Sequence, residues 1–280
     1  MANSALWKCI GLVCRAAILF LAVATPAWAQ QAVPHVINPQ NFGQRADKYT
    51  LSYCVDPRDP AWQIDKSIAD AIAGALLVQP KPTLIKDRKV QDVIDSIYRH
   101  LLADCDIFFG FKLLPEGYPD WLAISRPYYQ VGYVYVGKNP NWKKLADLPK
   151  TEAIGSSLGS VADFRLIQYL NSLPPDQRWP RYPMSNDVAA LQAVVDGKVG
   201  AAVVWAPSFA AAAKADPALA GLHVISSSPL PDLTIPVGAL MLKTSTFLRY
   251  NIDQAIQSLV RDGTIGAIIE ANHFPATLPE

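Results

Sequence analysis

Apolar residues recur along this chain with two alternating periods. Positions 51–55 form a compact apolar strand that ends in the turn-rich segment Asp56 to Pro60. Ile64, Ile68, Ile72 and Leu76 then recur every fourth residue, which places one apolar stripe on a helix over 64–77. Pro80 and Pro82 stop that helix. A short strand at 83–85 leads to a second helix over 90–102, whose Val90, Val93, Ile94, Ile97 and Leu101 share a face, and a third strand follows at 107–109. The order is βαβαβ, and the strands are apolar on both faces, which suits a parallel sheet covered by helices on each side. Ligands of such sheets gather at the carboxyl ends of the strands, here Asp56 to Trp62, Asp87 and Gly110 to Tyr118.

Two strand-like stretches, 128–129 and 133–136, and a short helical connection at 142–148 precede a second α/β round. That round opens with a strand from 153 and a helix over 161–170, for which Ser160 is the N-cap and Asp163 the N3 partner of a capping box. A proline-rich insert (174–183) separates it from a helix capped by Ser185 and ended by Gly197, and the buried strand 201–204 terminates at Trp205. A small alanine-rich helix is expected over 209–215. Strands at 222–225 and 237–242 and a helix over 248–269 have no third parallel unit of their own, so their simplest role is to return to the first half. Two α/β lobes joined by crossing strands imply a cleft. The alternative is one continuous doubly wound domain.

Composition narrows the location and the partners. The 280 residues are 51% hydrophobic with a formal charge of +1 and no run of five like charges, which argues against nucleic acid and an anionic membrane surface as partners. Residues 1–29 have a weakly basic start, an apolar stretch and Ala27-Trp28-Ala29 at their end, the pattern of a cleaved secretory signal peptide. The uncharged stretch after Arg15 is short of the ~20 residues that span a bilayer, so no membrane anchor is expected. Cleavage would remove Lys8 and Arg15 and no acid, leaving 23 basic and 24 acidic side chains, a charge of −1. It would also leave Cys54 and Cys105 as the remaining cysteines, either a disulfide in an oxidising compartment or two buried small hydrophobes. Cys54 lies late in its strand and Cys105 before its own, so neighbouring parallel strands would leave them offset, whereas a disulfide needs Cα atoms within about 7 Å.

Metal-ligand and dinucleotide-binding patterns are lacking. His35, His100, His223 and His273 are scattered without metal-ligand spacing, and Gly-x-Gly-x-x-Gly does not occur. No enzymatic activity, metal or cofactor is therefore expected. The turn at Ser156, Ser157, Gly159 and Ser160 combines hydroxyls, a close-approach glycine and the free amides of a helix start, which suits an anion or carbonyl; its serines would otherwise serve only to cap their own helix. Trp62, Tyr118, Tyr128 and Trp205 fall at strand-end turns and offer flat apolar area with a polar handle.

Taken together, Cys105 to Gly110, Arg126-Pro127-Tyr128-Tyr129, Leu158-Gly159-Ser160 and Val203-Val204-Trp205-Ala206-Pro207 make the chain resemble the type II periplasmic solute-binding proteins. Within them it is most similar to a small group associated with quinoprotein methanol or alcohol dehydrogenases, on its cysteine-bearing strands and the closing His273-Phe274-Pro275. The resemblance implies a two-lobed fold with lobe 1 at 45–131 and 233–280 and lobe 2 at 132–232. It also implies a non-catalytic periplasmic protein that assists a pyrroloquinoline-quinone alcohol dehydrogenase and its cytochrome c; the rival reading is a soluble receptor serving a membrane permease. Amino-acid binders of this superfamily usually clamp a ligand carboxylate with an arginine after the third strand and an ammonium with an acid at the end of the last lobe 2 strand. The matching positions fall near Tyr118 and at Trp205, and no arginine occurs between Gly110 and Ser125. The expected ligand is therefore not a zwitterionic amino acid held in that way, and Lys112 would act only as a point charge.

Overall fold

The computed structural model describes residues 49–86, 93–114 and 117–279. The expected signal peptide, the start of the second helix and the strand end at Asp87 lie outside them. The first half is built as β1 (Thr50–Val55), α1 (Trp62–Ala75), β2 (Gln79–Leu84), α2 (Val93–Ala103) and β3 (Ile107–Lys112), with β1 paired in parallel to both β2 and β3. Ile64, Ile68 and Ile72 bury one face of α1 against the sheet, as the four-residue spacing requires. Strand β2 begins four residues earlier than expected and contains Pro80 and Pro82. It is the outermost strand of the sheet, where a missing N–H costs no ladder bond.

Strands β4 (Leu122–Ile124) and β5 (Tyr129–Gly137) follow. The expected strands 128–129 and 133–136 are one element, because Gly132 stays in register opposite Thr234 and does not interrupt the ladder. The second half comprises β6 (Ile154–Ser157), α3 (Val161–Ser172), β7 (Arg181–Met184), α4 (Asp187–Val195), β8 (Ala201–Trp205), α5 (Ala206–Ala215), α6 (Pro217–Ala220) and β9 (His223–Ile225). Strand β7 lies inside the proline-rich insert, again at a sheet edge that tolerates Pro183. The cap of α4 is Asn186, not Ser185: its side-chain oxygen accepts the Ala189 N–H at 2.9 Å. The chain returns through β10 (Leu233–Leu242), α7 (Thr246–Arg261), α8 (Thr264–Ala271) and β11 (Ala276–Thr277). The single helix expected over 248–269 is broken by Gly263, whose φ of 84° is a left-handed conformation that ends α7.

One hydrogen-bonded path, β2-β1-β3-β10-β5-β8-β6-β7, links both halves. Tyr133 is where β5 changes neighbours: Tyr129 to Tyr133 pair antiparallel with β10, and Tyr133 to Gly137 pair with β8. Helices cover both faces, so each half has apolar clusters on either side of its strands.

Cys54 and Cys105 are bonded, with Cα atoms 5.7 Å apart. The offset expected from the strands is real, since Cys54 stands opposite Phe108. It is overcome because Cys105 lies in the turn before β3, which is folded back on β1 by the Asp106 N–H to Ser52 carbonyl bond of 2.9 Å.

Candidate functional site

The carboxyl ends of β1 and β3 and the turn after β6 meet at a cavity of about 570 Å³. The first half contributes Asp56, Arg58 and Asp59 from the turn after β1, and Gly110 and Lys112 from β3. The second contributes Gly159, Ser160 and Val161, and Tyr133 of the connecting strand also lines it. On the rim, Arg58 forms a forked pair with Asp56, both contacts 2.9 Å. Asp59 accepts the Ala61 N–H at 2.8 Å and so shapes the entry to α1.

Beneath Gly110 lies Asp65, which is 1% exposed. One carboxyl oxygen accepts the hydroxyls of Tyr128 and Tyr129, each at 2.9 Å; the other, Oδ2, has no hydrogen-bond partner among the described residues. Tyr128 in turn accepts the Gly110 N–H at 2.8 Å. Burial, reinforced by the charge of Asp59, pushes the Asp65 carboxyl up to about 8 against the two tyrosine hydrogen bonds, which pull it down. Asp65 is thus a neutral acid at pH 7. An acid whose folded pKa exceeds its unfolded value, 3.8, holds its proton on folding, so its contribution to stability is complete below that value and is lost as pH rises through 8. Urea unfolding is expected to show this group's slope, up to about 1.4 kcal/mol per pH unit between pH 5 and 8. Asp65→Asn should remove that slope, and an unchanged slope in the variant would refute the assignment.

Glycine is required above this acid. At φ 83° Gly110 is left-handed, and a Cβ there would stand 2.6 Å from Asp65 Oδ2. Gly110→Ala is expected to lower unfolding stability by about 1–3 kcal/mol, read as a reduced urea midpoint at unchanged m-value.

The second-half wall is organised by Asp163. Its Oδ1 accepts the Ser156 hydroxyl at 2.6 Å and Arg181 Nε at 2.6 Å; its Oδ2 accepts the Gly159 N–H at 3.0 Å and Arg181 Nη2 at 2.7 Å. Its own N–H donates to Ser160 Oγ at 3.1 Å, the expected cap; the reciprocal half of the expected capping box does not form, because the carboxylate takes the Gly159 N–H and the Ser160 N–H donates to the Ser157 carbonyl at 3.1 Å. Burial raises the Asp163 carboxyl, but Arg181, Ser156 and Gly159 outweigh it and hold the group below the usual carboxylate range. Of the serine-glycine turn, Gly159 and Ser160 therefore reach the cavity, whereas Ser156 is buried on Asp163 and Ser157 is outside the lining.

The aromatic positions divide similarly. Trp205 is buried at the end of β8, its ring 5.0 Å from that of Tyr133, and Lys112 Nζ stands 4.2 Å from the Trp205 ring centroid. Trp205 thus backs the cavity's lysine instead of lining the space. Tyr128 is fully buried behind the lining, bonded to Gly110 and Asp65. Trp62 packs half-buried on the first-half core, and Tyr118 accepts the Leu114 N–H at 2.6 Å with its ring 6.4 Å from Phe111; neither lines the cavity. Sequence reasoning missed Asp65, Tyr133 and Arg181. An acid in the first turn of a helix reads as a partner of the helix dipole, and Arg181 was hidden in the proline-rich insert. Among the described residues, no group of three or more His, Cys, Asp or Glu is placed to hold a metal ion.

No family model and no curated protein matches the chain. Solved structures do. An ancestral arginine-binding protein bound to arginine aligns with a TM-score of 0.56 at 23% identity, covering 80% of this chain and 98% of its own. An amino acid ABC transporter substrate-binding protein from Streptococcus pneumoniae, bound to L-arginine, gives 0.56 at 21%, with 83% and 96% covered. The L-cystine solute receptor of Neisseria gonorrhoeae, in an unliganded open conformation, gives 0.59 at 17%, with 84% and 98% covered. With the strand path and its change of partner at Tyr133, these likenesses establish that the chain has the two-lobed α/β fold of the type II solute-binding proteins.

Proposed function

We propose that this chain is an exported, non-catalytic solute receptor of the periplasm. In this reading its lobes, 45–131 with 233–280 and 132–232, close over a small polar ligand placed between Lys112 and the Gly159-Ser160 turn. The supporting observation is the cavity itself, which takes charged side chains from the ends of β1 and β3 and backbone from the start of α3. A ligand touching both walls binds the closed arrangement better than the open one and so draws the population toward it. Where amino-acid binders of this fold carry an arginine and an acid, this chain has Lys112 nearby and Trp205. This favours a small polar metabolite over a zwitterion clamped at both ends. Among the described residues no helix is long and apolar enough to cross a membrane. A role beside a quinoprotein alcohol dehydrogenase rests on the sequence resemblance alone.

The test is a thermal-shift screen of the chain from residue 30 with small amines, carboxylates, polyols and amino acids, with purified quinoprotein dehydrogenase as a separate arm. A ligand at a hundred times its Kd adds about 2.7 kcal/mol, a rise of roughly 5–10 °C in Tm. Lys112→Met should weaken the hit about tenfold. A screen without hits, together with micromolar binding to the dehydrogenase, would overturn the receptor reading in favour of the accessory one.

A further inference from the structure

A second cavity, of about 460 Å³, shares Tyr133 with the cleft but none of its charged residues. Its construction follows from two regular elements. Tyr133 and Tyr135 project from one face of β5, and Val203 stands opposite Tyr135 on β8. Helix α3 lays Ala162, Arg165 and Tyr169 across them, spaced three and four residues apart on one helical face. The segment from Leu230 to Asp232, just before β10, and Leu233 at its start close the remaining side. Tyr135, Val203 and Ala162 are buried, whereas Arg165 and Gln168 are exposed. Among the described residues Arg165 forms no ion pair. Asp232, also on the lining, is held by the Ser227 hydroxyl at 2.7 Å.

The volume falls within the roughly 300–1,000 Å³ of small-molecule sites, and the lining combines aromatic walls with few polar groups, as such sites do. We infer that this cavity is a second ligand site, distinct from the cleft, for a small aromatic carboxylate: its ring lies among Tyr133, Tyr135 and Tyr169, and its carboxylate pairs with Arg165 at the mouth. Arg165 supplies the planar fork that a carboxylate matches, and the tyrosines supply faces and edges for a ring. Asp232 disfavours a second negative charge on the ligand, so a monocarboxylate is selected over a dicarboxylate. The site goes beyond the receptor reading and does not depend on it, because none of its lining except Tyr133 belongs to the cleft.

The probe is 3-phenylpropionate, titrated at millimolar concentrations into the chain from residue 30 and followed by ligand-observed NMR and calorimetry. Saturable binding is expected, weakened about tenfold by Arg165→Gln. Phenethylamine, with the same ring and the opposite charge, should bind at least as much more weakly. Circular dichroism of Arg165→Gln, an exposed position, checks that the fold is retained. No saturable binding to the wild-type chain would overturn the proposal, as would equal affinity for the amine. Loss of binding in Lys112→Gln with Arg165→Gln unaffected would move the probe to the cleft and also overturn it, while leaving the receptor reading standing.

Discussion

Asp163→Ala is expected to lower unfolding stability by about 3–5 kcal/mol, because it removes the acceptor from a buried, fully bonded arrangement instead of deleting the whole of it. The side chain of Asp163 is 1% exposed and that of Arg181 23%. Without the carboxylate the guanidinium loses its forked partner, the buried Ser156 hydroxyl loses its acceptor, and the Gly159 N–H loses its anchor. The effect should appear as a lower urea midpoint. It should also reach the cleft, since the turn carrying Gly159 and Ser160 is shaped by these bonds; any ligand found in the thermal-shift screen should bind the variant more weakly. The double variant Asp163→Leu with Arg181→Met, which removes both charges, should recover a large part of the loss. Equal destabilisation in the single and double variants would show that the ion pair is not what holds this wall together.

Replacing both cysteines, Cys54→Ala with Cys105→Ala, is expected to cost about 4 kcal/mol, the loop-closure entropy for residues 51 apart in sequence. For a chain of this size that is a fall of roughly 8–16 °C in Tm by scanning calorimetry. The wild-type chain in reductant should fall by the same amount, because the term acts on the unfolded ensemble and leaves the packing of Phe108, Ile97 and Leu240 around the site unchanged. A reduced wild type that melts where the oxidised one does would show that the bridge adds nothing to stability. The two effects should add in a combined variant: the cysteines pack in a first-half cluster and Asp163 organises the second-half wall, with no shared partner.

Local rules account for the elements that the chain can specify by itself. Ile64, Ile68 and Ile72 declare the first helix because a period of four places them on one face, and Ser160 with Asp163 marks the start of α3 through a bond that spans three residues. Where sequence reading fails, the deciding interaction is distant. Pro80, Pro82 and Pro183 argue against a strand until it is known that β2 and β7 are edges. The stretches 128–129 and 133–136 read as two strands until the pairing of Gly132 with Thr234 is seen. The cysteines look out of register until the turn before β3 is known to fold back on β1.

The same division holds at the site. Gly110, Lys112, Gly159 and Ser160 were legible because strand ends and helix starts gather at such a cleft whatever lies elsewhere. Asp65 was not, since its hydrogen-bond partners Tyr128 and Tyr129 lie more than sixty residues on. The place of Trp205 and Tyr118 at strand ends points to the cleft, yet side-chain direction is settled by the neighbours they pack on, Lys112 and Tyr133 in one case and Phe111 in the other. By itself the sequence determined the α/β alternation, the helical faces and the end of the strands at which a cleft must lie, because these follow from periodicity and backbone sterics over a few residues. Only the tertiary structure decided which side chains enter that cleft, which acid stays neutral beneath it and which cavity opens beside it, because each depends on the desolvation and hydrogen bonds supplied by residues far away along the chain.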